Sequence, residues 1–552
     1  MPDNNNAPSR LFHSPLDKWD VWLVLAALIA TGFVLGKDIS VGGLRDSDTA
    51  VHAMDGVLIH DWIAAGPSAW VEPMQFAEVQ YGHYPCLGIG RHYPPAFAIV
   101  EAGFFAVFGI SPFTARLTVV FFGLLACSGT YLFLRTLEDR PTSLLGSVIL
   151  MTLPAVTTWG RQTMLEVPIL AALAWGAFGF SWYLTHPSRR RFAVLLILAA
   201  SAMTFRQTGV FLLSAIALAL FVAVQRKRVP WGHFLVCAGL AITAIAGITF
   251  SFGGAAAKMF RGRPSFSSLW GFDALTYYFR HLPDSTGWWI LATAIVGAVL
   301  CIRRDRVKGS FLLAWLLVAY VMLCAADLKY PRFFFVGLFP FAIWSALAIG
   351  FVLRTLGESR LRHMAVGLVC AVLCVNALRQ QIQYHSDYGA VVAAHRDKIE
   401  NRAVLFGGTR DIHFVFAVRQ HLPWRSTVAI RTSKLLYSCN THPSVDFQAL
   451  VDSPDMLSNT MQRYAFGVVI TDRSNHLHIP QEEFLKDYLR SGAHYVHVAA
   501  HDMRMDGECS ARDSIVDVYQ LAGPRDRLAD YIDIPIPRAN RTVRLNLEAD
   551  AG

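Results

Sequence analysis

Residues 192–224, FAVLLILAASAMTFRQTGVFLLSAIALALFVAV, are bounded by Arg189-Arg190-Arg191 on one side and Arg226-Lys227-Arg228 on the other. As one helix these 33 residues would extend about 50 Å, against a hydrocarbon core of about 30 Å. Clusters of arginine and lysine favour the cytoplasmic side, so both ends belong there and the segment must cross, turn and return. The turn falls at Thr204-Phe205-Arg206-Gln207, which carries Arg206 to the opposite face. Leucine, alanine or glycine would turn such a hairpin at lower cost, so the arginine points to a function.

The rest of the chain agrees with a membrane setting. It is 54% hydrophobic and 16% charged, with a mean hydropathy of +0.38, outside the range of ordinary soluble domains. Its net charge of +9 sits in short loops between apolar runs, which marks topology rather than nucleic-acid binding. The nine cysteines show no CxxC or Cys/His zinc spacing. Cys439 and Cys509 could pair as a disulfide if the C-terminal region is extracytoplasmic. The first apolar segment starts near Trp19, lacks a small-residue cleavage site and reads as a retained span.

Charge placement predicts spans over about 19–36, 113–134, 143–159, 167–185, 192–205, 207–224, 231–252, 286–302, 309–326, 333–353 and 364–378. Five basic loops then share the cytoplasmic face with the N-terminus, and the C-terminus lies opposite. The expected class is an α-helical polytopic membrane protein of about eleven transmembrane helices with a C-terminal extracytoplasmic α/β domain. Residues 1–18 form a cytoplasmic tail, 19–378 the membrane domain, 385–535 the soluble domain and 536–552 a flexible tail. The first outer loop, 37–95, leads into residues 96–110, a short apolar run holding Glu101. That run reads as an interfacial or re-entrant helix, with a twelfth span as the alternative. In the soluble domain, Gly407-Gly408-Thr409 lacks the GxGxxG and GxxxxGK[ST] patterns and reads as a tight strand-to-helix turn.

With that topology, polar residues from distant segments are expected on one outer face: Asp46 and Asp48, Arg161 and Glu166, Arg206, and Asp327, Lys329 and Arg332. Guanidinium forks match phosphate oxygens and stabilise charge growing on a leaving group. A carboxylate can take the proton of an attacking hydroxyl. Plainer roles compete: Asp46 or Asp48 as helix N-cap, Glu166 as a helix-start acid, and Lys329 and Arg332 as snorkelling helix-end cations.

Several motifs carry a resemblance. They are Asp48-Thr49 opening an amphipathic helix after the first span, Tyr93-Pro94-Pro95, the Arg161–Pro168 run, Met203-Thr204-Phe205-Arg206, and Lys329-Tyr330-Pro331-Arg332-Phe333. In order and sidedness, residues 20–355 resemble the GT-C membrane glycosyltransferases, the dolichyl-phosphate-mannose–protein mannosyltransferases and the lipid A aminoarabinose transferase. The match departs at Thr49, where many relatives have a second acid, and at Arg206, where lysine is usual. The resemblance implies inverting transfer of a sugar from a polyprenyl-phosphate donor to a hydroxyl acceptor on a protein, lipid or glycan. Asp48 would be general base and Glu166 the second acid. Arg206, Lys329, Arg332 and Arg161 would face the donor phosphate, and Asp46, Tyr93 and His92 the acceptor or sugar. A divalent metal ion, held by Asp48 and His83, is the possible cofactor. Expected partners are the lipid-linked donor, the acceptor and the bilayer, not nucleic acid. A flippase for lipid-linked sugars and a membrane-anchored binding protein are the rival classes; a transport path would need polar residues across the spans, which are almost free of charge.

Overall fold

The computed structural model describes residues 17–86, 93–261, 271–324, 329–355, 357, 359–382, 384–385, 388–408, 410–438, 447–473, 478–503, 505–506, 514–523, 529, 531–536 and 541–546, with side chains of 249–261, 359, 385, 535, 536, 541, 545 and 546 left aside. Cys439, Cys509, His92, Asp327 and Thr409 lie outside the described residues. The chain forms two compact units: residues 1–39, 93–97 and 116–381, and residues 40–92, 98–115 and 382–552. This partition cuts across the division expected from sequence, because the first outer loop groups with the C-terminal region.

The first unit is helical. Among the described residues, eight helices are long and apolar enough to cross a membrane, or nine if the bent pair Phe272–Thr286 and Trp288–Arg304 is one span. Each of the eleven expected segments is helical, but fewer pass as spans, for physical reasons. The run 143–159 is broken into Arg140–Thr152 and Pro154–Trp159. Proline disfavours helical geometry in the residue before it, and Leu153 adopts φ −56°, ψ 138°. Helix Arg189–Phe205 has 17 residues, about 26 Å, and starts on three arginines. The expected hairpin is there: this helix ends at Phe205, Arg206 is extended at φ −157°, and a turn at Gln207–Gly209 leads into Val210–Gln225. Helix Ala96–Phe108 has 13 residues, about 20 Å, short for a crossing.

The second unit holds a five-stranded sheet of β1 (Ala403–Gly407), β2 (Val428–Arg431), β3 (Val468–Asp472), β4 (Tyr495–Met503) and β5 (Ser514–Leu521), in the order β2-β1-β3-β5-β4. β1 runs parallel to β2 and β3, and β5 antiparallel to β3 and β4. Alternation splits the strand residues between two cores. Ala403, Leu405 and Val469 join Leu457, Met461, Leu485 and Leu489 on one face. Val404, Phe406, Val468 and Ile470 join Phe414, Val415 and Val418 of helix Asp411–His421 on the other. That second core also takes Ala50, Ala53, Met54 and Val57 of the loop helix Ser47–Ala64, together with Tyr84, Cys86 and Phe105. The outer loop is therefore part of the C-terminal domain's interior.

A buried polar tie joins the same elements. The Asp61 carboxylate, 1% exposed, accepts from Arg419 Nε at 2.9 Å and Gln80 Nε2 at 3.1 Å, and pairs with His60 Nδ1 at 3.0 Å. Burial alone would raise this carboxyl; the His60 hydrogen bond and the Arg419 guanidinium outweigh it and hold the group below the usual carboxylate range. The residues beyond 536, expected to be an irregular tail, instead supply the strand Arg541–Asn546, antiparallel to Tyr531–Ile536.

Candidate functional site

In the membrane unit the break in the hairpin presents Arg206 to Glu166, the first residue of helix Glu166–Thr185. Arg206 Nη1 donates to Glu166 Oε1 at 3.0 Å, and the carboxylate gains further from the positive helix N-terminus. Glu166 Oε2 is buried without a hydrogen-bond partner. Arg206 also lies over the Phe333 ring, 5.5 Å from its centroid. Arg332 approaches the same ring at 5.8 Å and those of Trp159 and Tyr330 at 5.6 and 5.7 Å. Cation–π contacts of this kind contribute about 0.5–2 kcal/mol each and fix the planes of the guanidiniums. Two cations thus flank one aromatic ring, the first of them bonded to the Glu166 carboxylate.

Two expected phosphate ligands, Arg161 and Lys329, contact backbone carbonyls. Arg161, 1% exposed, spends its guanidinium on backbone carbonyls: Nε to Val34 at 2.9 Å, Nη1 to Gln380 at 2.7 Å and Nη2 to Ala377 at 3.1 Å. It satisfies the orphan carbonyls near the ends of the helices Lys18–Gly36 and Ser359–Arg379, a structural duty. Lys329 Nζ donates to the carbonyls of Cys324 at 2.7 Å and Leu323 at 3.4 Å, closing the end of helix Arg306–Cys324.

In the second unit, Asp46 is the N-cap of helix Ser47–Ala64. It accepts from Thr49 N at 3.0 Å, while its own backbone N–H donates to Thr49 Oγ1 at 3.2 Å. The departure at Thr49 thus has a structural use, and capping falls to Asp46 rather than to Asp48, which lies half-buried in the first turn. Tyr93, in the membrane unit, is half-buried.

His83 is buried with Nδ1 3.3 Å from the Thr427 carbonyl, and among the described residues no three His, Cys, Asp or Glu side chains are grouped to hold an ion. The last residue of β1 opens the glycine turn. A Cβ on Gly407 would lie 2.8 Å from Glu482 Oε2, so an acid faces the backbone there.

Sequence reasoning missed Glu482. Burial raises its carboxyl to about 7, with hydrogen bonds from Thr432 and Tyr437 opposing the shift. A folded-state value above the unfolded 4.5 means that the unfolded chain ionises first. The contribution of this group to the domain's stability is then greatest below about pH 4.5, falls as pH rises and levels off above about 7, a loss of at most about 3 kcal/mol. Glu482→Gln should flatten that segment of a melting-temperature profile and raise stability at pH 8; an unaltered slope would refute the assignment.

The profile of the family described as "Dolichyl-phosphate-mannose-protein mannosyltransferase" matches residues 92–249. A comparison with curated protein sequences gives no match. Among solved structures, ArnT from Cupriavidus metallidurans bound to undecaprenyl phosphate is similar at 13% identity and TM-score 0.53, over 91% of this chain and 98% of that one. The same protein in the apo state gives 14%, 0.54, 91% and 97%. This is a GT-C fold. The Archaeoglobus fulgidus oligosaccharyltransferase tethered with an acceptor peptide containing the NVT sequon is also similar, at 11% identity and TM-score 0.51, over 83% of this chain and 69% of that one. At these identities the structural likeness shows the fold, and the family profile covers residues 92–249 of the chain. In GT-C terms, Arg206 and Glu166 fall within the profile match, and Lys329 and Arg332 beyond it.

Proposed function

We propose that this chain transfers a glycosyl group from a polyprenyl-phosphate donor to a hydroxyl acceptor, with inversion, at the extracytoplasmic face of a bacterial inner membrane, its N-terminus cytoplasmic. The acceptor oxygen attacks the anomeric carbon, the bond from that carbon to the phosphate oxygen breaks, and the polyprenyl phosphate leaves carrying the electron pair. Asp48 takes the hydroxyl proton. Arg206 and Arg332 bind the phosphate and stabilise the charge that grows on it as the bond breaks. Glu166 holds Arg206 by one oxygen and keeps the other for a substrate hydroxyl.

The observation that carries this reading is the pair Arg206 and Arg332 about the Phe333 ring, with Glu166 bonded to the first. Among proteins of the same fold, the Cupriavidus ArnT structure is one bound to undecaprenyl phosphate. Arg206→Gln is expected to lower kcat/KM for the lipid donor by about 10²–10³-fold, the usual cost of one preorganised donor. The KM for acceptor should hold, and Arg206→Lys should recover part of the loss. The test is donor titration with a radiolabelled polyprenyl-phosphate sugar, and unchanged donor dependence in Arg206→Gln would remove the phosphate role.

A further inference from the structure

A second cationic cluster lies at the other end of the membrane unit and takes no part in the chemistry above. Helix Leu338–Arg354 follows directly on the turn holding Phe333, and its 17 residues carry Arg354 about 26 Å along the axis. There the Glu138 carboxylate, 3% exposed, is paired with both Arg304 and Arg354. Arg354 Nε also donates to the Gly350 carbonyl at 3.3 Å. Arg303 stands beside them with no ion-pair partner among the described residues.

These arginines border a cavity of about 260 Å³ whose other wall is Leu300, Leu347 and Phe351. Helix Trp288–Arg304 meets Leu338–Arg354 so closely that a Cβ on Gly297 would lie 1.7 Å from the Trp344 carbonyl oxygen. The cavity opens about 10 Å further along, where that close approach ends. Phe351 is 53% exposed, on a helix whose composition places its outer surface in lipid. Glu138 accounts for two of the three guanidiniums at most, and for none of the apolar wall. What remains is an excess of positive charge beside a hydrocarbon surface.

We propose that this cavity binds an anionic phospholipid, its phosphate held by Arg303 and Arg354 and the start of its acyl chains lying against Leu300, Leu347 and Phe351. Guanidinium forks match phosphate oxygens, and basic pockets between membrane helices at the positively flanked face suit anionic headgroups. A soluble phosphate would use the charges but leave the apolar wall in water, which favours the lipid. The bound lipid would tie together the ends of two packed helices. This inference does not rest on the transferase reading.

The full-length protein, purified in detergent, would be mixed with phosphatidylglycerol, phosphatidylcholine or inorganic phosphate and followed by native mass spectrometry and thermal unfolding. One phosphatidylglycerol should be retained with at least ten-fold preference over phosphatidylcholine. Arg303→Gln, which breaks no ion pair, should lower that preference at least three-fold, and Arg303→Gln with Arg354→Gln should abolish it. Arg190→Gln, at an exposed arginine in the first turn of helix Arg189–Phe205, should leave it intact. Equal retention of the two lipids by the native chain would overturn the site, as would an unchanged preference in Arg303→Gln. Inorganic phosphate reproducing the thermal shift and displacing the lipid would overturn the lipid in favour of a free anion.

Discussion

Asp48→Asn is expected to lower glycosyl transfer by about 10²–10⁴-fold, the range that a positioned general base contributes. The substitution keeps the size of the side chain and its place in the first turn of helix Ser47–Ala64, so folding should hold. The neighbouring acid supplies the contrast. Asp46 caps that helix through its pairing with Thr49, and Asp46→Ala should cost about 0.5–2 kcal/mol of stability with transfer largely retained. Rates measured with purified variants at saturating donor would check both. Full activity in Asp48→Asn would leave the reaction without its base.

The largest stability effect is expected at Asp61. Removing this carboxylate in Asp61→Ala leaves Arg419, with a side chain only 12% exposed, without its anion, and Gln80 without an acceptor. Breaking a buried pair on one side costs about 3–5 kcal/mol. The loss should appear as faster hydrogen exchange in both Ser47–Ala64 and Asp411–His421, since the tie spans both helices. Replacing the pair together, as Asp61→Leu with Arg419→Met, should recover most of it, because an apolar pair of similar volume carries no stranded charge. A cost below about 1 kcal/mol for the single variant would show that solvent reaches the arginine.

What could be read from the chain follows the range of the physics involved. The hairpin at Arg206 was legible because helix rise, bilayer thickness and flanking charge are local quantities, and the structure breaks the helix after Phe205. The break at Leu153 was legible in principle from Pro154, but the apolar run around it hid the signal. Arg161 and Lys329 were not separable from Arg206 by residue type. Their carbonyl partners lie at the ends of other helices or a few residues back, and nothing in a sequence marks which carbonyl a cation will meet. Glu482 escaped notice because its surroundings, Thr432 and Tyr437, come from an earlier part of the fold. The same holds for the outer loop. Its helix has apolar residues on several sides, and only the sheet shows which core they join.

That shared interior sets a condition on how the protein is made. Asp61 and Arg419 are 358 residues apart, so at about 5–20 residues per second the helix that carries Asp61 waits some 20–70 s for the strands that will cover it. During synthesis an apolar surface stands open outside the lipid, within reach of proteases and of other immature copies. Truncating the C-terminal strands would make that interval permanent, so a shortened chain should be cleared or clump rather than persist as a bare membrane unit.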